Sequence, residues 1–345
     1  MPMTQQASPI PPLTRLHYVT GILYFAFRAL VGAYALTVFL SLLVHFFLDE
    51  TVSDMVAFTN SIIHLTTMGA TILLPIALIF RCRDLALMLL PSAIFWSVWA
   101  IPQFLPNNIP KISPDATEIT VFSYNLLAGM EYPDDIQRII TQADADIVLL
   151  QELNTVTARM LQRDMRDAYP YMELHPGSIP GMGIISRYEL SDCIIWIEVF
   201  QHQRCETNIS DEHLILYNVH PMSPLTVDGF NRRRRDFATI LARIQADVEA
   251  GLTVIAGGDW NMTPLSDGYA QITGYLRDAF ADSGQGLGFT YRLQNFGRMS
   301  LFGGIAVARI DYVFYTAPLI AQEARVWHEN GLSDHIPIWV KLALP

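Results

Sequence analysis

This 345-residue chain is short of charge: Asp, Glu, Lys and Arg together make up 16% of it, against about 25% in ordinary soluble domains. With 51% hydrophobic residues, that deficit excludes a wholly water-soluble enzyme. Basic residues are scarcer than acidic ones, 22 against 33, leaving a formal net charge of −11. Such a balance argues against a protein that grips nucleic acid non-specifically, because phosphate backbones attract basic surfaces. A nuclease using a few local arginines is not excluded. Cysteine is nearly absent. Cys82, Cys193 and Cys205 show no CxxC spacing, which excludes a thiolate zinc set. They read as scattered thiols, with a Cys193–Cys205 pairing left open if the back half lies outside the cytoplasm.

The missing charge is unevenly distributed. Residues 1–110 hold four basic residues (Arg15, Arg28, Arg81, Arg83) and four acidic ones (Asp49, Glu50, Asp54, Asp84), so the whole net charge belongs to residues 111–345. In the front third, Ala29–Leu48, Ser61–Phe80 and Leu85–Leu105 are runs without a formal charge, each near the roughly 20 residues that carry a helix across a bilayer. Asn60 and His64 leave the start of the second run uncertain. Three such runs in close succession predict three transmembrane α-helices rather than buried soluble ones or a cleaved signal. Arg15 and Arg28 precede the first run, Arg81 and Arg83 follow the second, and the loop with Asp49, Glu50 and Asp54 has no basic residue. Basic flanks stay in the cytoplasm. The expectation is a multi-pass protein of the cell (inner) membrane with residues 1–28 cytoplasmic and a 29–105 anchor. A 106–117 linker then leads to an extracytoplasmic domain, 118–345. The histidines in the spans are too few to suggest transport.

From Glu118 on, β-branched runs alternate with amphipathic stretches. Ile119–Tyr124, Ala145–Leu150, Gly183–Ser186, Leu214–Val219, Thr253–Ala256, Ile310–Phe314 and Ile336–Leu342 read as strands. Pro133–Gln142, Thr155–Asp167 and Asn231–Glu249 carry helical periodicity. An α/β or α+β domain of this length can enclose one sizeable core. Polar residues cluster where the strands end: Asn125, Gln151-Glu152, His220, Asp259-Trp260-Asn261, Asp311 and Ser333-Asp334-His335. Strand ends and their loops are where a rigid sheet holds reactive groups within reach of solvent. Each residue alone is as easily a turn or cap; the set is not.

The strings Ser123-Tyr124-Asn125, Leu150-Gln151-Glu152, Asn218-Val219-His220, Gly258-Asp259-Trp260-Asn261, Arg309-Ile310-Asp311-Tyr312 and Ser333-Asp334-His335-Ile336-Pro337 resemble, in that order, the endonuclease/exonuclease/phosphatase superfamily with its deoxyribonuclease I-like fold. The resemblance covers about residues 118–343. It implies a four-layered α/β sandwich and metal-dependent phosphoester hydrolysis. By position, Glu152 would ligate Mg²⁺ or Mn²⁺ with help from Asn125 and Asp334, an oxygen set that suits hard cations. Asp259 would orient or deprotonate the attacking water, and Asn261 would hold a phosphate oxygen. Asp311 would orient His335 beside the phosphate, and His220 would support the leaving group. Tyr291, in Gly288-Phe289-Thr290-Tyr291, falls where a substrate contact is expected.

The acidic domain departs from family members that carry a basic surface for a polymer, so the substrate stays open between nucleic acid and a lipid or other small phosphoester. Of the four arginines Arg232–Arg235, one or two can reach a cleft, because helical neighbours lie about 100° apart; Arg232 is the candidate substrate contact. The expected partners are the phosphoester and the bilayer, and no feature points to a stable protein partner. The alternative function is a non-catalytic membrane sensor or assembly protein reusing the fold.

Overall fold

The structure, a computed structural model, describes residues 12–128, 132–224, 228–293 and 304–345. The first residues of the segment expected in the cytoplasm, 1–11, therefore lie outside it. Contacts divide the chain into two units, one of residues 1–48 and 62–99 and one of residues 49–61 and 100–345.

The first unit is built from α1 (Pro12–Phe47), α2 (Asp54–Ile79) and α3 (Arg83–Ala100). All three helices are long and apolar enough to cross a membrane. The first begins well before the expected Ala29, because no proline or glycine pair interrupts the stretch from Tyr18 onward. Val31, Ala35, Ala70, Ala77, Leu85, Ala86 and Leu89 pack together; small residues allow such close helix approach. Outward-facing positions remain apolar, with Phe25 and Ile79 each 76% exposed, a surface compatible with a hydrocarbon surrounding. Arg28 pairs with Asp84 and Tyr24.

The second unit runs β1 (Thr117–Asn125), α4 (Pro133–Ala143), β2 (Ile147–Gln151), α5 (Thr155–Asp164), β3 (Tyr171–His175), β4 (Met182–Ser186), β5 (Ser191–Ile197), β6 (Gln201–Ile209) and β7 (Glu212–Val219). It continues with α6 (Gly229–Glu249), β8 (Thr253–Asp259), α7 (Asp267–Ile272), β9 (Arg277–Asp278), α8 (Ala279–Ser283), β10 (Tyr291–Arg292), β11 (Ala306–Ala308), β12 (Asp311–Tyr315), β13 (Ile320–Val326) and β14 (Ile338–Leu344). Two six-stranded sheets result, ordered β13-β14-β1-β2-β4-β3 and β5-β6-β7-β8-β12-β9.

Alternation along each strand builds the layers. Val121, Ile147 and Leu149 of the first sheet meet Leu214, Leu216, Ile255 and Val313 of the second in the central core. Their neighbours Phe122, Val148 and Leu150 face the other way, onto Ile136, Ile139, Ile140 and Leu161 of α4 and α5. On the far side Ile215, Tyr217 and Val254 pack on Ile240 and Ile244 of α6. The architecture is thus a four-layered α/β/β/α sandwich. Strands with both faces covered read as unbroken apolar runs, which is why β1, β2, β7 and β8 were visible in the sequence. The last strand starts at Ile338 rather than Ile336: Pro337 has no N–H to give a ladder, and pairing begins opposite Ser123. The segment before β1 is fastened to this unit, since Asn107 Nδ2 donates to the Gly284 carbonyl at 2.7 Å.

Candidate active site

The two central parallel pairs bring their carboxyl ends to one edge of the sandwich. β1 and β2 run parallel with Asn125 beside Gln151, and β7 and β8 run parallel with Val219 beside Gly258. Antiparallel β12 sets Asp311 directly opposite Asp259. Where β7 and β8 end, Gly258 adopts φ +144° and a Cβ there would lie 2.0 Å from the Val219 carbonyl, so only glycine permits this approach. Beneath the cleft, Gln151 donates to Asn218 Oδ1 at 2.7 Å, while Asn218 Nδ2 reaches the Leu150 and Gly183 carbonyls and Gln203 Oε1, each at 3.0 Å. This buried network ties one sheet to the other.

Asp259 is the hub. It is 1% exposed. Its Oδ1 accepts the Asn261 N–H at 2.9 Å, and its Oδ2 accepts Asn125 Nδ2 at 3.1 Å and Asn261 Nδ2 at 3.3 Å. The ring nitrogens His220 Nε2 and His335 Nε2 approach the same Oδ2 at 3.5 and 3.6 Å. Glu152 faces Asn125 Nδ2 through Oε1 at 3.3 Å and accepts the Ala128 N–H through Oε2 at 2.9 Å. Glu152 and Asn261 both hold positive φ, 56° and 48°, a left-handed conformation that costs non-glycine residues about 1–3 kcal/mol and gathers at functional sites. His335 is held by Asp311, which accepts its Nδ1–H at 2.9 Å. The Asp311 N–H itself donates to Thr290 Oγ at 3.2 Å, and Ser333 Oγ accepts the His335 N–H at 3.0 Å and donates to the Asn125 carbonyl at 2.7 Å. The Tyr291 ring meets that of His335 edge-on with centroids 5.4 Å apart.

Burial sets the protonation. It raises Asp259 above the usual carboxylate range, with Asp311 adding to it and His335 opposing it. Burial likewise raises Glu152, against hydrogen bonds from Ala128 and Asn125. His220 is pushed down to about 3, chiefly by burial and then by His335, so it is neutral. For His335, burial opposes the charge, but Asp311 and Asp259 outweigh it and lift the ring to about 10. The two histidines therefore differ: one is a neutral imidazole, the other an imidazolium between carboxylates.

Nine of the ten residues singled out in the sequence as catalytic, metal-holding or substrate-contacting are brought together here. Arg232 is not: it is exposed, and its neighbour Arg233 turns inward to donate through Nη1 to the Asn261 carbonyl at 2.6 Å. Asn261 Nδ2 is engaged by the Pro221 carbonyl at 2.9 Å as well as by Asp259, so in this state it orients Asp259 and has no amide donor spare for a phosphate. Sequence reasoning missed the support behind His220. There, His202 Nδ1 accepts the His220 N–H at 3.2 Å and its ring faces Asp236, which in turn accepts the N–H groups of Val199, Phe200 and Met222. Nothing in the string Gln-His-Gln-Arg around His202 marks it as such a support.

Two arrangements could hold a cation. Asp259, Asp311 and His335 offer ligand atoms within 4.8 Å of one another, but those of His335 and Asp311 are already bonded to each other. Glu152 and Asp334 lie close enough for Asp334 to raise the proton affinity of Glu152. Asp334 Oδ1 is buried with no hydrogen-bond partner among the described residues, an unsatisfied hard oxygen of the kind a divalent ion takes up. Asn125 now shows its nitrogen to the carboxylates while its Oδ1 accepts the Leu127 N–H, so joining them as a ligand requires its amide to turn over. The Glu152–Asp334 set fits a hard cation better than the histidine cluster.

No curated protein sequence matches the chain at a significant level. Solved structures share its fold. An endonuclease/exonuclease/phosphatase from Beutenbergia cavernae superposes with a TM-score of 0.53 at 17% identity over 66% of this chain and 72% of its own. One from Bacteroides vulgatus gives 0.52 at 20% identity over 66% of this chain and 100% of its own. D. rerio TDP2, complexed with a single strand DNA product, gives 0.52 at 15% identity over 66% and 99%. The family model for the Endonuclease/Exonuclease/phosphatase family matches residues 122–335, well over half of the chain, from within β1 to His335. The chain therefore belongs to the endonuclease/exonuclease/phosphatase family.

Proposed function

We propose that this protein is a membrane-anchored, divalent-metal-dependent hydrolase of lipid or other small phosphoesters, attacking phosphorus with a water activated at Asp259. The observation that carries the reading is the convergence of Asn125, Glu152, His220, Asp259, Asn261, Asp311 and His335 on a single carboxylate-centred pocket, with the unsatisfied Asp334 beside it. Mg²⁺ or Mn²⁺ would be held by Glu152 and Asp334, joined by the Asn125 oxygen once that amide turns over, and would supply the positive charge that makes an acidic site hospitable to phosphate.

The protein groups do the rest. Asp259, whose proton affinity burial has raised, takes the proton of the water; a base poised nearer neutrality is the more effective one. Asn261 fixes its orientation through its N–H and its amide. His335, kept protonated by Asp311, directs Nε2–H at a phosphoryl oxygen, where negative charge grows. Neutral His220 gives a hydrogen bond at the departing oxygen, and Tyr291 lines the approach beside His335.

The net charge of −11 carried by residues 111–345 favours a small or lipid phosphoester over a polymer. Three membrane-length helices favour a substrate met at a bilayer. A nucleic-acid substrate is the second reading, suggested by the DNA product bound to D. rerio TDP2. The basic flanks of the helices favour an orientation with the catalytic domain outside the cytoplasm. The Cys193–Cys205 disulfide supports that side, since such bonds persist in oxidising compartments.

The test is hydrolysis by the full chain in detergent, with Mg²⁺ or Mn²⁺ against EDTA, over phosphomonoesters, phosphodiesters, phospholipids and nucleic acids. Metal-dependent turnover that falls about 10³-fold in Asp259→Asn and is lost in Glu152→Gln is expected. Turnover surviving both changes together rules the reading out, and none on any substrate favours the sensor alternative.

A further inference from the structure

The acidic loop between α1 and α2 belongs, by its contacts, to the catalytic unit. Its Glu50 is only 5% exposed, unusual for a carboxylate in a short surface connection. The Glu50 N–H donates to Asp267 Oδ2 at 2.7 Å, and the Asp267 N–H returns a bond to Glu50 Oε1 at 3.3 Å. Glu50 Oε2 accepts from Arg233 Nη2 at 3.4 Å, and the Glu50 carbonyl accepts from Arg234 Nη1 at 3.0 Å. Arg233, 6% exposed, spends its other terminal nitrogen on the Asn261 carbonyl. Asn261 sits at φ 48°, and both its N–H and its amide hold Asp259. An unbroken line of bonds therefore runs from the loop to the central carboxylate.

We propose that Glu50 is a positioning residue for the hydrolytic centre, acting through Arg233 to hold the Asp259–Asn261 turn in its strained, productive geometry. The inference rests on the hydrolase reading above. Its physical logic has two parts. A left-handed asparagine persists only where its surroundings over-determine it, and Arg233 is the group gripping that residue's carbonyl from behind. A buried guanidinium in turn needs a buried partner, and Glu50 is the carboxylate that meets it. The run Arg232–Arg235 then has a purpose other than substrate capture: two of its members fasten the loop.

The experiment compares the full chain, in detergent, with Glu50→Ala, Glu50→Gln, Arg233→Lys and the control Asp54→Ala, which removes only the half-exposed Arg234 contact. Two readouts are taken: steady-state kinetics and hydrogen exchange at the Trp260 and Asn261 amides, which donate to the Ile310 carbonyl and to Asp259. Glu50→Ala is expected to lower kcat by up to about 10²-fold, the effect of a small misplacement of reacting groups, with KM little changed and faster exchange at both amides. Glu50→Gln keeps an acceptor for Arg233 and falls between; Asp54→Ala matches the parent. Parent-like kcat and exchange in folded Glu50→Ala overturn the proposal. If that variant does not fold, Arg233→Lys decides: a single ammonium nitrogen replaces the two guanidinium nitrogens that reach Asn261 and Glu50 separately, so parent-like kcat and exchange there overturn it as well. Exchange that responds in a protein without turnover keeps the positioning role and defeats the hydrolase reading instead.

Discussion

Opposite protonation of two nearby histidines gives the site its clearest residue-level signature. The folded state raises His335 from 6.5 to about 10. A raised base contributes stability that is complete below its unfolded value and lost as pH climbs through the folded one. An activity that needs this imidazolium should therefore hold through neutrality and decline as pH approaches 10. Asp311→Asn removes the carboxylate that sustains the charge. The alkaline limb of kcat/KM should then move towards 6.5, read from a profile over that range; an unmoved limb shows that His335 does not govern it. Glu152 shows the same pH direction from the opposite cause, since here the charged form is the disfavoured one. Its folded proton affinity lies above the ordinary value of 4.5 because of burial, so its stabilising contribution is present in acid and lost as pH rises through the folded value. In the metal-free protein at neutral pH, Glu152→Gln should raise Tm by roughly 2–4 °C for each kcal/mol of relieved burial. Calorimetry in EDTA checks it. Added Mg²⁺ should stabilise the parent more than the variant.

At the scale of elements, the seam between the sheets carries both stability and alignment. Asn218 on β7 and Gln151 on β2 are fully buried, and Asn218→Ala leaves the Gln151 and Gln203 amides facing apolar surroundings without that partner. An unsatisfied buried polar group costs about 1–3 kcal/mol. The urea midpoint should fall accordingly, and kcat with it, because Glu152 follows Gln151 directly. Strands of this kind were legible in the sequence because their two covered faces leave continuous apolar runs that end in polar residues. The β5–β6 hairpin gives no such signal: Gln201–Ile209 is polar except at Cys205 and Ile209, so neither an apolar run nor a period-two alternation marks it. Arg233 was missed for a different reason. Four consecutive arginines hide which one points inward until the phase of α6 is fixed by Ile240 and Ile244 in the core. The placement of Asn261 as an orienter of Asp259 depends on hydrogen bonds that no spacing encodes.

Across the whole molecule, the disulfide connects the chemistry to a compartment. Cys193 and Cys205 are 12 residues apart, and closing a loop of that length removes about 3 kcal/mol of unfolded-state freedom. Cys193→Ser, or a reductant, should lower the denaturation midpoint by an amount of that order. A reporter fused at the C-terminus should read out as extracytoplasmic, and a cytoplasmic signal overturns the proposed orientation. The division of the chain into two units also could not be foreseen from hydropathy, which separates 1–105 from the rest at one boundary. Contacts instead assign residues 49–61 to the sandwich. A fragment starting after the third helix would lack the Glu50 contacts to Asp267, Arg233 and Arg234, and on the proposed positioning role any turnover measured on it should fall below that of the full chain.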